Sequence, residues 1–499
     1  MNDIVSAVLA AARRAPEAVA IIDGKGRTVT YGELARRIRA VASALGPLEP
    51  GETVLFAVRP GPDAVATAVG AVAAGGMLML ADPGQAPAVI TGRLAAARPR
   101  WVIAESLLYL LSGPLRPLAR RRGLLLPRLA DPLPGRTLRH LYTGPWLPGV
   151  PRGALSLRRS AGPSAAGPDP ASDPRRPAVV VFTSGTTGRP KGVVHTGESL
   201  ARGSAMLHEI VPFGPGDVVH TDQLMLGLPA LMSGATWSLP GAPARYLAEL
   251  AERGATHAFC VPVRLAALLD PADARLPAGL RYLLLGTAPS PPAVLRRAVE
   301  AGPHVNVLSV YAMTEALPIA VASAEEKLAC REGDLLGAPL PGIGVRVADD
   351  GELFVTGPHL ARGYLGEPPI TEVATGDLAR LDADGRIVLL GRKKDMLLRD
   401  GFNIYPGLYE PAIAALPGVA EAAIVGLPDP RTGDEEVVLA VVPASSGFDE
   451  TRLRKSLPDI VDAGALPDRI VVLDSLPRAG RTEKLDRAAL RATVAKSAR

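Results

Sequence analysis

Residues 179–192 read VVVFTSGTTGRPKG. Four apolar residues, three of them β-branched, run straight into a loop dense in hydroxyls and glycines that closes on Lys191-Gly192. The apolar run has the composition of a buried strand. In the loop, glycines let backbone N–H groups approach anionic oxygens, hydroxyls add donors and a lysine adds charge. A strand feeding such a loop points to an α/β sheet whose edge cradles a triphosphate. It is not the G-x-x-x-x-G-K-[ST] loop, because Pro190 stands where the last glycine belongs and Gly192 follows the lysine.

Working outward, short apolar runs alternate with Ala/Leu/Arg helical patterns. Residues 53–58, 77–80, 101–104, 178–182, 257–261, 282–285 and 305–309 read as strands, and 64–74 as a helix. After Gly391 the pattern becomes compact α+β, with strands at 419–425 and 437–442 and a helix at 451–457. At 499 residues the chain exceeds a single hydrophobic core. The division expected is a large α/β domain of several subdomains over residues 1–393 and a smaller, mobile α+β domain over 394–499. Residues 111–177, dense in Pro, Arg, Gly and Leu, are expected to be irregular.

Composition excludes several classes. The excess of 55 Lys+Arg over 50 Asp+Glu is small and aromatics are 4%, so no basic and aromatic face for nucleic acid is expected. The apolar stretch 64–81 has the length of a membrane span, but Gly75-Gly76 and Asp82-Pro83 punctuate it as a buried helix and strand. Cys260 and Cys330 have no metal-type spacing and read as small buried residues in a reducing cytoplasm. The N-terminal residues put Val5, Val8, Leu9 and Ala12 on one helical face and lack the order of an export signal.

TSGTTGRPKG resembles the phosphate loop of the adenylate-forming superfamily of acyl-CoA synthetases, luciferases and peptide-synthetase adenylation domains. Further segments follow in the family's order: TVTYGEL from Thr28, residues 75–83, GTAP from Gly286, YAMTEA from Tyr311, GELFVTGPHLARGYLG from Gly351, TGDLARLDADGRIVLLGRKKDM from Thr375, GFNIYP from Gly401 and TEKLDR from Thr482. The resemblance implies an AMP-forming acid ligase that uses ATP and Mg²⁺ to turn a carboxylic acid into its acyl-adenylate. Thr183, Ser184, Gly185, Thr186, Thr187, Gly188 and Lys191 would cradle the phosphates. Gly286, Thr287, Ala288 and Pro289 would line the adenine, with Tyr311 and Thr314 close by.

By the same resemblance Glu315 is the magnesium ligand, Asp377 accepts the ribose hydroxyls and Arg392 contacts ribose or phosphate. Lys394 is the hinge, and Gly401 belongs to a loop lining the thiol channel. Lys484 is the catalytic lysine that holds the carboxylate against the α-phosphate, here preceded by Glu483 where the family pattern has Gly. Read on their own, Glu315 could be a capped loop residue and the Gly376-Asp377 pair an ordinary turn. Coenzyme A is the expected acceptor, with a carrier-protein thiol, β-lactone closure or a non-catalytic nucleotide-binding regulator as alternatives. His220, Asp222 and Gln223 suggest a polar acyl wall, and His195 and His257 read as packed histidines without a role.

Overall fold

The computed structural model of the chain describes residues 3–81, 85, 87–160, 169–170, 172–183, 191–288, 290, 292–330, 334–392, 397–404, 406–414, 416–429, 432–444, 448–479 and 484–497. The large N-terminal domain is α/β. Among the described residues it holds one thirteen-stranded and one eight-stranded sheet, with helices on their faces. The expected strands at 77–80 and 282–285 form with those bounds, as Met77–Leu80 and Tyr282–Leu285. The uncharged run from Ala64 forms most of the helix Pro62–Ala73, which Gly75 at φ +94° separates from the strand. No helix among the described residues is long and apolar enough to cross a membrane.

In the eight-stranded sheet Met77–Leu80 pairs in parallel with both Thr53–Ala57 and Pro177–Thr183, burying strands that read as continuous apolar runs. Pro177–Thr183 then turns back antiparallel onto Lys191–Thr196, which makes a hairpin at the end of the sheet. At the opposite edge lie Arg139–Thr143 and Leu155–Ser156. These two strands correct the expectation of irregular backbone through 111–177. Five register pairs to Trp101–Glu105 hold Arg139–Thr143 in place, and that partner lies too far along the chain for local periodicity to reveal it.

The larger sheet runs parallel through His257–Cys260, Tyr282–Leu285 and Asn306–Met313, then antiparallel onto Ala316–Ser323. Beyond it come Asp334–Pro339, Ile387–Arg392 and Val373–Leu381. Helix Ile4–Arg14 buries Val5, Val8, Leu9 and Ala12 as expected, and Ile4, Ala7 and Ala11 besides, because it lies in a core shared with Leu34, Ile38 and Leu231. Cys260 is buried, which pushes its thiol pKa up to about 12, whereas Cys330 is only half-buried.

The smaller C-terminal domain is built on Glu435–Pro443, flanked antiparallel by Val419–Pro428 and in parallel by Arg469–Val472. Helix residues Leu453 and Leu457 cover one side of this sheet with Ile413, and Leu490 and Val494 cover the other. Both faces of the middle strand are therefore dry, which explains its unbroken VVLAVV run. Arg487 closes the domain through two 2.9 Å hydrogen bonds to the Glu410 carboxylate.

Candidate functional site

Two hairpins from different sheets meet at the site. The first, Pro177–Thr183 with Lys191–Thr196, brings Thr183 and Lys191 opposite each other, with Thr183 Oγ1 3.5 Å from the Lys191 carbonyl. Gly192 is required by close packing: a Cβ there would lie 2.9 Å from Val180 Cγ2 and 3.1 Å from the Phe182 ring. The short strand Gly363–Tyr364 pairs onto this hairpin, fixed by Leu365 N–H to Gly192 O at 2.7 Å and Arg362 N–H to Val194 O at 2.8 Å. The second hairpin, Asn306–Met313 with Ala316–Ser323, turns through Thr314 and Glu315.

Three contacts tie that turn to the first hairpin and its neighbour. His195 Nε2 donates to the Thr314 carbonyl at 2.7 Å, leaving Nδ1 as acceptor 3.1 Å from the Ser199 hydroxyl. The Glu315 carbonyl accepts from Ala361 N–H at 2.8 Å. The Tyr364 hydroxyl donates to Glu315 Oε1 at 3.1 Å, while the face of the same ring lies 5.2 Å from Lys191 Nζ. Glu315 is buried. Burial lowers the pKa of His195, with the Thr314 hydrogen bond opposing, so the ring stays neutral and keeps its single N–H aimed at the carbonyl.

A cleft of about 110 Å³ is lined by Thr287, Ala288, Tyr311, Asp377 and Leu398 among others, and the strand that brings Tyr311 to it runs on into the Thr314-Glu315 turn. Asp377 is buried and sits within Val373–Leu381, in register with Arg392. On the other side the ladder skips from Ala374 to Leu378, and Gly376 at φ +72° makes a bulge there, which is how the Gly-Asp signal is expressed within the strand. Asp377 Oδ2 accepts the Tyr311 hydroxyl at 2.7 Å, and its N–H donates to Thr375 Oγ1 at 3.1 Å. Thr287 holds φ +67°, a left-handed conformation uncommon outside glycine.

The C-terminal domain reaches this cleft through the hairpin Leu397–Arg399 and Phe402–Ile404. Leu398 lines it, and Gly401, at φ +77°, packs so closely that a Cβ would fall 2.5 Å from Thr287 Oγ1. The structure thus brings together Thr183, Lys191, Gly286, Thr287, Ala288, Tyr311, Thr314, Glu315, Asp377 and Gly401. The expected residues Ser184, Gly185, Thr186, Thr187, Gly188, Pro289 and Lys394 lie outside the described residues, as do the side chains of Arg392 and Lys484.

Sequence reasoning missed two residues, His195 and Tyr364. The first was read as a packed histidine, and the second sat unremarked in the segment from Gly351. His257 is a packed histidine as expected, stacked on Tyr282 at 5.1 Å. His220 is fully buried, 2.9 Å from Ser238 Oγ and edge-on to Tyr246, whereas Asp222 lies at the surface. The polar wall is therefore split between a sealed imidazole and an exposed carboxylate. Among the described residues no three His, Cys, Asp or Glu side chains cluster as a self-sufficient metal site. One buried carboxylate fits a magnesium ion whose remaining ligands are nucleotide oxygens and water.

The AMP-binding enzyme family matches residues 8–365 and its C-terminal domain matches residues 409–484, so the chain belongs to the adenylate-forming enzymes. A feruloyl-CoA synthase from Amycolatopsis is 29% identical over 503 residues, covering 94% of each chain. A probable nonribosomal peptide synthetase from Salinispora arenicola is 33% identical over 392 residues, covering 68% of this chain and 5% of that much longer protein. The solved structure of an amide bond synthetase from Marinactinospora thermotolerans superposes with a TM-score of 0.83 at 26% identity, covering 98% of this chain and 99% of the other.

Proposed function

We propose that this enzyme activates a carboxylic acid with ATP, releasing pyrophosphate, and hands the acyl group to the thiol of coenzyme A. One observation carries the reading: Lys191 and Glu315 both contact Tyr364, and the hairpin that carries Glu315 in its turn also carries Tyr311, which holds Asp377 at the cleft. A cation and a buried acid suited to a metal–triphosphate stand at one end, and a carboxylate suited to ribose hydroxyls stands at the other.

In this reading Asp377 takes the ribose, Thr287 and Ala288 flank the base, and Thr183 with Lys191 and the hydroxyls of Ser184, Thr186 and Thr187 cradle the phosphates. Glu315 holds Mg²⁺, which when bound offsets phosphate charge. Lys484 brings the substrate carboxylate to the α-phosphorus. A carboxylate oxygen bonds to that phosphorus as the bond to pyrophosphate breaks, which converts a poor leaving oxygen into AMP. The thiolate sulfur then bonds to the acyl carbon and AMP departs. Most of the acceleration comes from positioning and from charges fixed in advance.

The chain divides for this purpose at 393/394, with Lys394 as the pivot that exchanges Lys484 for the Gly401 loop at the cleft. The close seat of Gly401 on Thr287 supports a pose suited to acyl transfer. A chain with two cysteines, Cys260 and Cys330, set far apart in the sequence suits a cytoplasmic setting.

A second reading keeps the adenylation but makes the acceptor an amine, and the similarity to an amide bond synthetase favours it. A panel of carboxylic acids scored by pyrophosphate release, with and without coenzyme A or an amine, tests both. Acid-dependent release lost in Lys484→Ala supports the adenylation, and the product mass identifies the acceptor. Release in the absence of any acid, or equal release by Lys484→Ala, would remove the proposal.

A further inference from the structure

We infer that Tyr364 is a positioning residue shared by the two opposite charges of the phosphate end, Glu315 through its hydroxyl and Lys191 through its ring face. The inference rests on the nucleotide reading above and assigns a role to a residue that reading leaves without one.

Tyr364 is fixed before any ligand arrives. Its backbone pairs with Val193, two residues from Lys191, and the hydrogen bonds of Leu365 and Arg362 clamp it on both sides. The side chain then makes two contacts of different kinds. The hydroxyl donates to Glu315 Oε1 at 3.1 Å, which restrains the carboxylate and leaves Oε2 for a cation. The ring face lies 5.2 Å from Lys191 Nζ, within the range at which an ammonium is attracted to an aromatic quadrupole.

A rigid ring is suited to this task because it has two χ angles to lose, whereas a lysine paired directly with a glutamate would cancel the charges the triphosphate needs. The ammonium rests against a neutral surface and can leave it for phosphate oxygens. The carboxylate meanwhile stays oriented.

The two contacts separate by substitution. Tyr364→Phe removes the hydroxyl and keeps the ring, and Tyr364→Leu removes both. Binding of α,β-methylene-ATP is measured without metal by calorimetry, and Mn²⁺ binding in the presence of the analogue is measured by electron paramagnetic resonance. Thermal denaturation runs beside both. For Tyr364→Phe, Mn²⁺ affinity falls about tenfold with the lost bond to a charged acceptor, and metal-free analogue affinity is retained. For Tyr364→Leu, analogue affinity falls by roughly threefold in addition.

Wild-type Mn²⁺ affinity in Tyr364→Phe, whether or not its thermal stability changes, would overturn the inference. Loss of metal-free analogue binding in Tyr364→Phe would do so too, since the ring alone is assigned to Lys191. A wild-type protein that binds neither analogue nor Mn²⁺ strikes the nucleotide reading itself and takes this inference with it. A Tyr364→Phe variant identical to a wild type that does bind strikes Tyr364 alone.

Discussion

The two hairpins that form the site solve the same problem in different ways. Thr314 and Glu315 occupy a tight turn whose carbonyls are tied by His195 and Ala361 and whose carboxylate is tied by Tyr364. Lys191 stands at the end of a strand, its backbone in register with Thr183 and its ammonium resting on an aromatic face. The acid is fixed by directional bonds, and the cation is held by a contact with little directionality. A metal ligand gains from preset geometry, whereas a group that follows a phosphate gains from freedom to move. The difference assigns rigidity to one charge and adaptability to the other.

Removing the fixed charge should have the largest effect. Glu315→Gln keeps the shape and an acceptor for Tyr364, yet pyrophosphate-forming activity should fall on the order of 10²–10³-fold while the melting temperature stays near wild type. Activity close to wild type would show that the turn is structural. Next comes the tie behind it. His195→Leu leaves the Thr314 carbonyl buried and unpaired at a cost of about 1–3 kcal/mol, and should lower both stability and rate. His195→Gln, whose amide can still donate, should recover most of each. Equal losses in the two variants would mean that ring packing matters and the bond does not.

A smaller and more selective effect is expected at Gly401→Ala. The added methyl meets Thr287 Oγ1, and the φ of +77° strains any other residue. Acyl transfer to the thiol should slow about tenfold, while acid-dependent exchange of pyrophosphate into ATP is unchanged. If both half-reactions fall together, the hairpin does not distinguish the two steps.

The smallest effect concerns His359, fully buried beside His195 with both ring nitrogens unpaired among the described residues. Burial, with a lesser contribution from His195, lowers its pKa to about 4, whereas the unfolded imidazole titrates near the ordinary value of about 6.5. The neutral ring's contribution is complete above about pH 6.5 and is lost as pH falls toward 4, because the unfolded chain takes up the proton first. His359→Leu should therefore flatten the fall in melting temperature over that window and leave activity at neutral pH alone. An unchanged acid slope would assign the loss to other groups.

The sequence made the local part of this site legible and concealed the ties across it. Residues 179–192 announce themselves because glycines, hydroxyls and a lysine are concentrated directly after an apolar run. Tyr282–Leu285 is legible because buried parallel strands are apolar throughout. The bond from His195 to Thr314 spans 119 residues and leaves no periodicity, so the histidine looked like core. Tyr364 owes its position to pairing with Val193, and Arg139–Thr143 owes its strand to Trp101–Glu105. Asp377 was legible in part, since the turn signal of Gly376-Asp377 is expressed as a bulge toward Glu352–Thr356, while its register with Arg392 leaves no local trace.

The most direct test of carboxylate attack on the α-phosphorus follows an atom. The enzyme is given ATP, an acceptor and a turned-over acid whose carboxylate carries ¹⁸O, and the released AMP and pyrophosphate are analysed by mass spectrometry. One labelled oxygen in AMP and none in pyrophosphate is the expected result, because the thiol or amine cleaves the anhydride at its acyl carbon. Unlabelled AMP beside labelled pyrophosphate or phosphate would place the attack at another phosphorus and contradict adenylation at this cleft.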